Sequence, residues 1–215
     1  SITERHPDVR CFVLLVDDVG GCFDPAAEPF TLVWLEDLDI PNLAGLCFQY
    51  SVVELNTAVK PFLLTHLFAR HGFDKVFYFD PDILLLGSLD ALLARLDSAA
   101  VVLTPHLTAP LPDDGLRPSE VNILQAGTYN LGFIGLRAGD TARALLRWWE
   151  TRLADRCRMA VERGMHVDQK WIDLVPGFFD DVAIVRDPSC NVAYWNAPHR
   201  PIVRDGERYL IDGVP

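Results

Sequence analysis

Short apolar runs with strand character alternate along this chain with longer stretches of helical periodicity, and that alternation favours an α/β domain. Val9–Val16 is a nearly continuous apolar run ending in Asp17-Asp18, the pattern of a strand buried on both faces. Phe30–Leu35 predicts a second, shorter strand. From Pro41 to Phe68 the spacing predicts two helices, with Leu55, Val59, Phe62, Leu63 and Leu67 on one face. Asn56 or Thr57 is placed to cap the second, Pro61 falls in its first turn, and Gly72 suits a left-handed end. Lys75–Phe79 is the clearest strand. A short helix over Leu89–Leu96 and a buried strand over Ala99–Leu103 follow, then a long proline-rich loop, Pro105–Pro118, of the kind that covers sites. Tyr129–Leu136 predicts a strand. Asp140–Gly164 predicts a helix with Leu145, Leu146, Trp149 and Leu153 on its apolar side. His166–Val175 predicts a short helix capped by Asp168, and Val182–Pro215 short strands and turns.

With 215 residues, half of them hydrophobic, the chain has enough apolar mass for one sizeable core, and the expectation is a single domain over 1–215. A formal charge of −11 argues against nucleic-acid phosphates as partners. The five cysteines are scattered, odd in number and without Cys-x-x-Cys spacing, as expected of reduced thiols in a cytoplasmic protein. No apolar run approaches the roughly 20 residues needed to span a bilayer, and no charged-then-apolar leader opens the chain. Both ends read as cut: the first strand follows closely on His6-Pro7, and the chain stops at Gly213-Val214-Pro215 with no terminal helix.

The chemistry concentrates at Asp80-Pro81-Asp82, directly after the Lys75–Phe79 strand. On an extended backbone, carboxylates at i and i+2 point to one side about 6.6 Å apart. Pro81 biases Asp80 away from helical angles. Two such anions repel unless a cation or hydrogen-bond donors compensate them, and hard oxygen ligands favour magnesium, manganese or calcium. The plainer alternative is a surface turn with both aspartates solvated or capping the segment at Ile83.

Four passages in order, Glu54–Leu64, Asp74–Leu84, Tyr129–Leu136 and Val167–Trp171, resemble bacterial glycosyltransferases of the A-type fold. The nearest are the retaining family that includes glycogenin and lipopolysaccharide galactosyltransferases, and the resemblance spans most of residues 9–197. It implies an α/β fold with a mixed, mostly parallel central sheet flanked by helices. It further implies metal-dependent transfer of a hexosyl group from a nucleoside diphosphate sugar to an acceptor hydroxyl, with retained configuration by front-face substitution. Asp80 and Asp82 match the D-x-D pair that holds Mn2+ (or Mg2+) and the donor diphosphate or ribose. Lys60 matches a basic position near the donor, Asn130 and Gly132 an Asn-x-Gly strand approaching the sugar, and Asp168 and Gln169 an Asp-Gln pair beside it. In that pair Asp168 meets hydroxyls and Gln169 lies near the reacting face.

Each residue also has an ordinary alternative: an exposed helix lysine for Lys60, a tight strand contact for Asn130 and Gly132, and a helix cap for Asp168. The chain departs from the family in two respects. A base-cradling strand before the first strand has no counterpart, and neither does the late histidine of the metal shell, for which His166 and His199 are the available residues. This implies poor donor binding or inactivity for the chain alone. Two rival readings stand beside the transferase. One is a non-catalytic carbohydrate-binding or scaffold domain of the same fold. The other is an aspartate-dependent phosphohydrolase of the haloacid-dehalogenase type, whose Asp-x-Asp-x-Thr pattern fails at Leu84. Tyr194 and Trp195 are open candidates for stacking on a sugar.

Overall fold

The computed structural model describes residues 2–206 and 208–214. In chain order its main elements are α1 (Ile2–Arg5), β1 (Phe12–Leu15), β2 (Thr31–Trp34), α2 (Leu43–Gln49), α3 (Val52–Ala58), α4 (Lys60–His71) and β3 (Lys75–Phe79). There follow α5 (Asp90–Ser98), β4 (Val101–Leu103), α6 (Glu120–Ala126), β5 (Phe133–Arg137) and α7 (Asp140–Arg156). The last are β6 (Met159–Ala160), β7 (Met165–His166), α8 (Gln169–Ile172), α9 (Val175–Phe178), β8 (Val182–Ile184), β9 (Ile202–Asp205) and β10 (Arg208–Ile211). The protein is a mixed α/β structure.

The largest sheet runs β3-β5-β4-β8. Both pairings of β5 are antiparallel and only β4 with β8 is parallel, which corrects the expected mostly parallel sheet. The reason is local. The chain leaving β4 passes through the long loop and α6 and returns at Tyr129, which bridges Pro105 in antiparallel sense, so β5 starts at the end where β4 stopped. The connection never crosses the sheet, and a returning chain must run backwards. β1 pairs only with β2, in parallel, and Val13 stays 38% exposed, so the first apolar run is not buried on both faces.

Three helices, not two, fill residues 43–71. Ser51 and Glu54 form a reciprocal capping box that starts α3. Thr57 is not a cap: its hydroxyl donates to the Val53 and Glu54 carbonyls inside α3. Pro61 does sit in the first turn of α4, and Gly72 ends that helix at φ 63°. The helix predicted over Asp140–Gly164 stops at Arg156. Beyond it Arg158 donates to the Gln49 carbonyl and the Met159 amide to Glu54, drawing the chain aside into the β6–β7 hairpin.

Strand alternation divides β5 between two cores. Ile134 and Leu136 join Leu64, Leu145, Trp149 and Leu153 under α4 and α7, while Phe133 faces Val102, Leu96 and Val185. Gly135 lies between two strands, opposite Phe77 and Val102. A Cβ there would meet the Phe77 ring at 2.6 Å and Val102 Cβ at 3.2 Å, so only glycine lets the aromatic ring lie across β5. Gly135→Ala is expected to destabilise the fold by about 1–3 kcal/mol through overpacking, read as a lower denaturation midpoint with an unchanged slope.

Candidate functional site

Lys60 is the first residue of α4, a position where the helix dipole disfavours a cation and where lysines are usually solvated. Here it is only 4% exposed. Its ammonium lies 3.1 Å from Asp80 Oδ1 and 3.2 Å from Asp168 Oδ2, and donates to the Leu131 carbonyl at 3.0 Å. The Tyr78 ring lies beneath it, 4.8 Å from Nζ. Burial alone would depress the ammonium's pKa, but Asp168 and Asp80 beside it hold it above the usual lysine range.

Asp80 follows β3 immediately, and Tyr78, two residues earlier on the same face, donates to Asp80 Oδ1 at 2.6 Å. Burial, then the Asp80 carboxylate, push the Tyr78 phenol up, so it remains a donor. Asp80 Oδ1 therefore serves Lys60 and Tyr78 together. The Asp80 amide donates to the Gly132 carbonyl at 2.8 Å, and the Ile83 amide turns back to the Asp80 carbonyl at 3.1 Å. Asp80-Pro81-Asp82 is thus a turn, which corrects the extended geometry expected of it. Proline is suited to the second position of such a turn. Asp82 is exposed, while the Asp80 side chain is one-third exposed.

Asp168 precedes α8 but makes no side-chain cap, contrary to its expected capping role. Its carbonyl accepts from Trp149 Nε1 at 3.3 Å, which fixes it to α7. The residue is 1% exposed, and Oδ2 meets Lys60 off hydrogen-bond geometry, so that oxygen has no hydrogen-bond partner among the described residues. Burial pushes the Asp168 carboxyl up against the pull of Lys60.

Asn130 and Gly132 lie in the turn before β5, not within the strand expected to contain them. Asn130 Oδ1 accepts from the Gly132 amide at 2.9 Å, and its Nδ2 donates to Asn191 Oδ1 at 2.6 Å. A Cβ on Gly132 would meet Asn130 Oδ1 at 3.2 Å, Ile83 Cδ1 at 3.3 Å and Asp80 Oδ2 at 3.4 Å, so glycine keeps this turn uncrowded beside Asp80. Gln169 is committed to backbone: Oε1 accepts from Leu131 at 3.1 Å and Nε2 donates to Ala126 at 3.0 Å. It brackets the loop that carries the Leu131 carbonyl to Lys60.

Among the described residues no group of three His, Cys, Asp or Glu side chains is arranged to hold a metal, and neither His166 nor His199 joins the aspartates in one. What remains is Asp80 Oδ2, beside Gly132, and Asp82. Mg2+ and Mn2+ are held elsewhere by as few as one or two carboxylates, with phosphate and water completing the shell, so these two aspartates are the residues that could hold such an ion here. A separate cavity of about 410 Å³ opens at the C-terminal ends of the parallel pair β1–β2, lined by Leu15–Asp18 and Trp34–Glu36. Ligands of α/β sheets collect at such ends.

The sequence reading marked Lys60, Asp80, Asp82, Asn130, Gly132, Asp168 and Gln169; of these Asp80 and Asp168 touch the Lys60 ammonium, Gly132 lies beside Asp80 and bonds Asn130, Gln169 holds the Leu131 amide, and Asp82 is exposed outside that centre. It missed Tyr78, which period-two spacing from Asp80 would have flagged, and Asn191, for which no local signal exists. No protein-family model and no solved structure matches the chain. Two uncharacterized proteins of Bacillus subtilis (strain 168) are similar to it. YfnF is 27% identical over 161 residues, 73% of this chain and 52% of YfnF, and YfnD is 26% identical across 100% of this chain and 68% of YfnD. The chain therefore spans about half the length of the first relative and about two thirds of the second.

Removing Lys60 leaves a bare buried carboxylate at Asp168. Lys60→Met is expected to cost about 3–5 kcal/mol of stability at neutral pH. The loss shrinks as pH falls, because Asp168, whose pKa is already raised, takes up a proton and ceases to be a buried charge. Denaturation of both proteins at neutral and mildly acidic pH checks the sign.

Proposed function

We propose that this chain is a metal-dependent glycosyltransferase domain of the A-type fold, moving a hexosyl group from a nucleoside diphosphate sugar to an acceptor hydroxyl. The observation that supports it is the convergence of four separated motifs on Lys60, with Asp80, Asp168 and the Asn130–Gly132 turn all touching its immediate surroundings. Retention of configuration is carried over from the family resemblance.

In this reading Asp80 and Asp82 would hold Mn2+ or Mg2+, which would neutralise charge on the leaving diphosphate. The chain's own residues set the frame. Lys60 and Tyr78 hold Asp80 Oδ1 inward, so that the other oxygen faces the site. Gly132, lacking a side chain, leaves the turn beside that oxygen uncrowded for the donor. Asp168, buried against the Lys60 ammonium, acts as a positioning residue that fixes Lys60 beside Asp80. Gln169 acts as a positioning residue by holding the Leu131 amide. A cytoplasmic location accords with five free thiols and with the absence, among the described residues, of a helix long and apolar enough to cross a membrane.

The test is thermal stability with a panel of nucleotide sugars, with and without Mn2+. A donor at 100 times its Kd is expected to stabilise the fold by about 2.7 kcal/mol. The stabilisation should depend on Mn2+ and vanish in Asp82→Ala. No Mn2+-dependent stabilisation by any donor would overturn the reading.

A further inference from the structure

The segment Asn191–Asn196 carries two aromatic side chains and is pinned at both ends. Asn191 accepts from Asn130 Nδ2 at 2.6 Å and donates to the Pro105 carbonyl at 2.9 Å. Asn196, buried, donates to the His106 and Asn191 carbonyls, both at 2.9 Å, and accepts from the Ala193 amide at 3.0 Å. Just beyond, the buried Arg200 guanidinium ties the Pro188 and Cys190 carbonyls to Thr108 Oγ1.

Between these anchors Tyr194 stands 75% exposed. Its ring meets the Trp195 ring at 5.0 Å, and Trp195 meets the His106 ring at 5.1 Å, both edge to face. The three rings form a ladder from solvent to interior, ending on His106 at 5% exposure. At its inner end Trp195 Nε1 and His106 Nδ1 are buried and have no hydrogen-bond partner among the described residues. Buried polar atoms are rarely left so, and each such atom asks for a partner. The indole N–H only donates, whereas an imidazole nitrogen donates or accepts according to its tautomer. Burial keeps His106 neutral by lowering its pKa. Hydroxyl groups satisfy both demands, since they donate and accept at once. The neighbouring centre, with two carboxylates to one ammonium, favours a neutral ligand over an anion.

We propose that the Asn191–Asn196 strap is a saccharide subsite, in which Tyr194 offers its face to a pyranose ring while Trp195 Nε1 and His106 Nδ1 take ring hydroxyls. Tyr194, 75% exposed at the outer end of the ladder, is the ring a ligand meets first. The subsite is one hydrogen bond from Asn130, beside the turn assigned above to the donor sugar. Its occupant is therefore the acceptor, because transfer requires the acceptor hydroxyl beside the donor sugar, and a saccharide is the acceptor class that this strap suits. That assignment to the acceptor rests on the transferase reading.

The experiment is saturation-transfer NMR of the whole chain with methyl α- and β-pyranosides of glucose, galactose and mannose, alone and with nucleoside diphosphates and Mn2+. At least one glycoside is expected to bind. Tyr194→Ala should weaken it about tenfold. Trp195→Phe, which keeps a ring and deletes the N–H, should weaken it as well. Tyr209→Ala, an exposed aromatic on the β9–β10 hairpin, should leave it unchanged. Absence of glycoside binding, or binding that both strap variants retain in full, overturns the subsite. Nucleotide binding without glycoside binding sinks the subsite alone, whereas glycoside binding without nucleotide binding sinks the donor reading and leaves the strap a saccharide site.

Discussion

A single ammonium group organises this protein. Lys60 joins the start of α4, the end of β3, the residue before α8 and the turn before β5, four places far apart in sequence. An ion pair shielded from water does not by itself make a protein stable, because desolvation offsets much of the Coulomb gain. Its effect is on specificity. The buried Asp168 carboxylate would be intolerable in that position without the ammonium, which ties α8 to the start of α4. The packing of Trp149 on the Asp168 carbonyl extends the same constraint to α7.

The second constraint is the return of the chain after β4. Because the loop and α6 come back on the same side, β5 enters the sheet antiparallel between β3 and β4. Its leading turn then falls against the end of β3, where the Asp80 amide and the Gly132 carbonyl bond at 2.8 Å. Two glycines permit this. Gly132 keeps its turn uncrowded beside Asp80, and Gly135 gives clearance to the Phe77 ring three residues later. The aspartate turn and the Asn130–Gly132 turn are therefore two halves of one junction.

How much of this was legible depended on the range of the interaction. β3, the Gly72 terminus and the core face of α7 follow from periodicity and local caps, and the sequence reading found them. The Ser51–Glu54 capping box is equally local and was overlooked, so two helices were expected where three occur. Strand direction in the main sheet was not legible, since apolar alternation carries no record of whether a connection crosses the sheet. In the site, residue types were readable and their states were not. Nothing local distinguishes a lysine at a helix start that is solvated from one neutralised by carboxylates 20 and 108 residues away. Likewise Asp168 has the position of a cap, and only the tertiary structure diverts its side chain to Lys60. Gln169 was read as facing the chemistry, yet both ends of its amide are taken by backbone.

The two oxygens of Asp80 have opposite duties, and this division decides what the centre can accept. Oδ1 is bound by an ammonium and a phenol, so it is fixed in orientation and has little capacity left for a ligand. Oδ2 lies beside Gly132. With the exposed Asp82 nearby, three carboxylates are opposed by one ammonium, and the excess negative charge lies on the outer side, where Asp80 Oδ2 and Asp82 are. An anionic ligand approaching unaccompanied from that side would be repelled. Under the proposed function, a diphosphate would need a cation between it and the two aspartates, whereas a neutral polyol would need none. In that reading the same charge arrangement that locks α4 to α8 would set different conditions for the entry of a charged donor and of an uncharged acceptor.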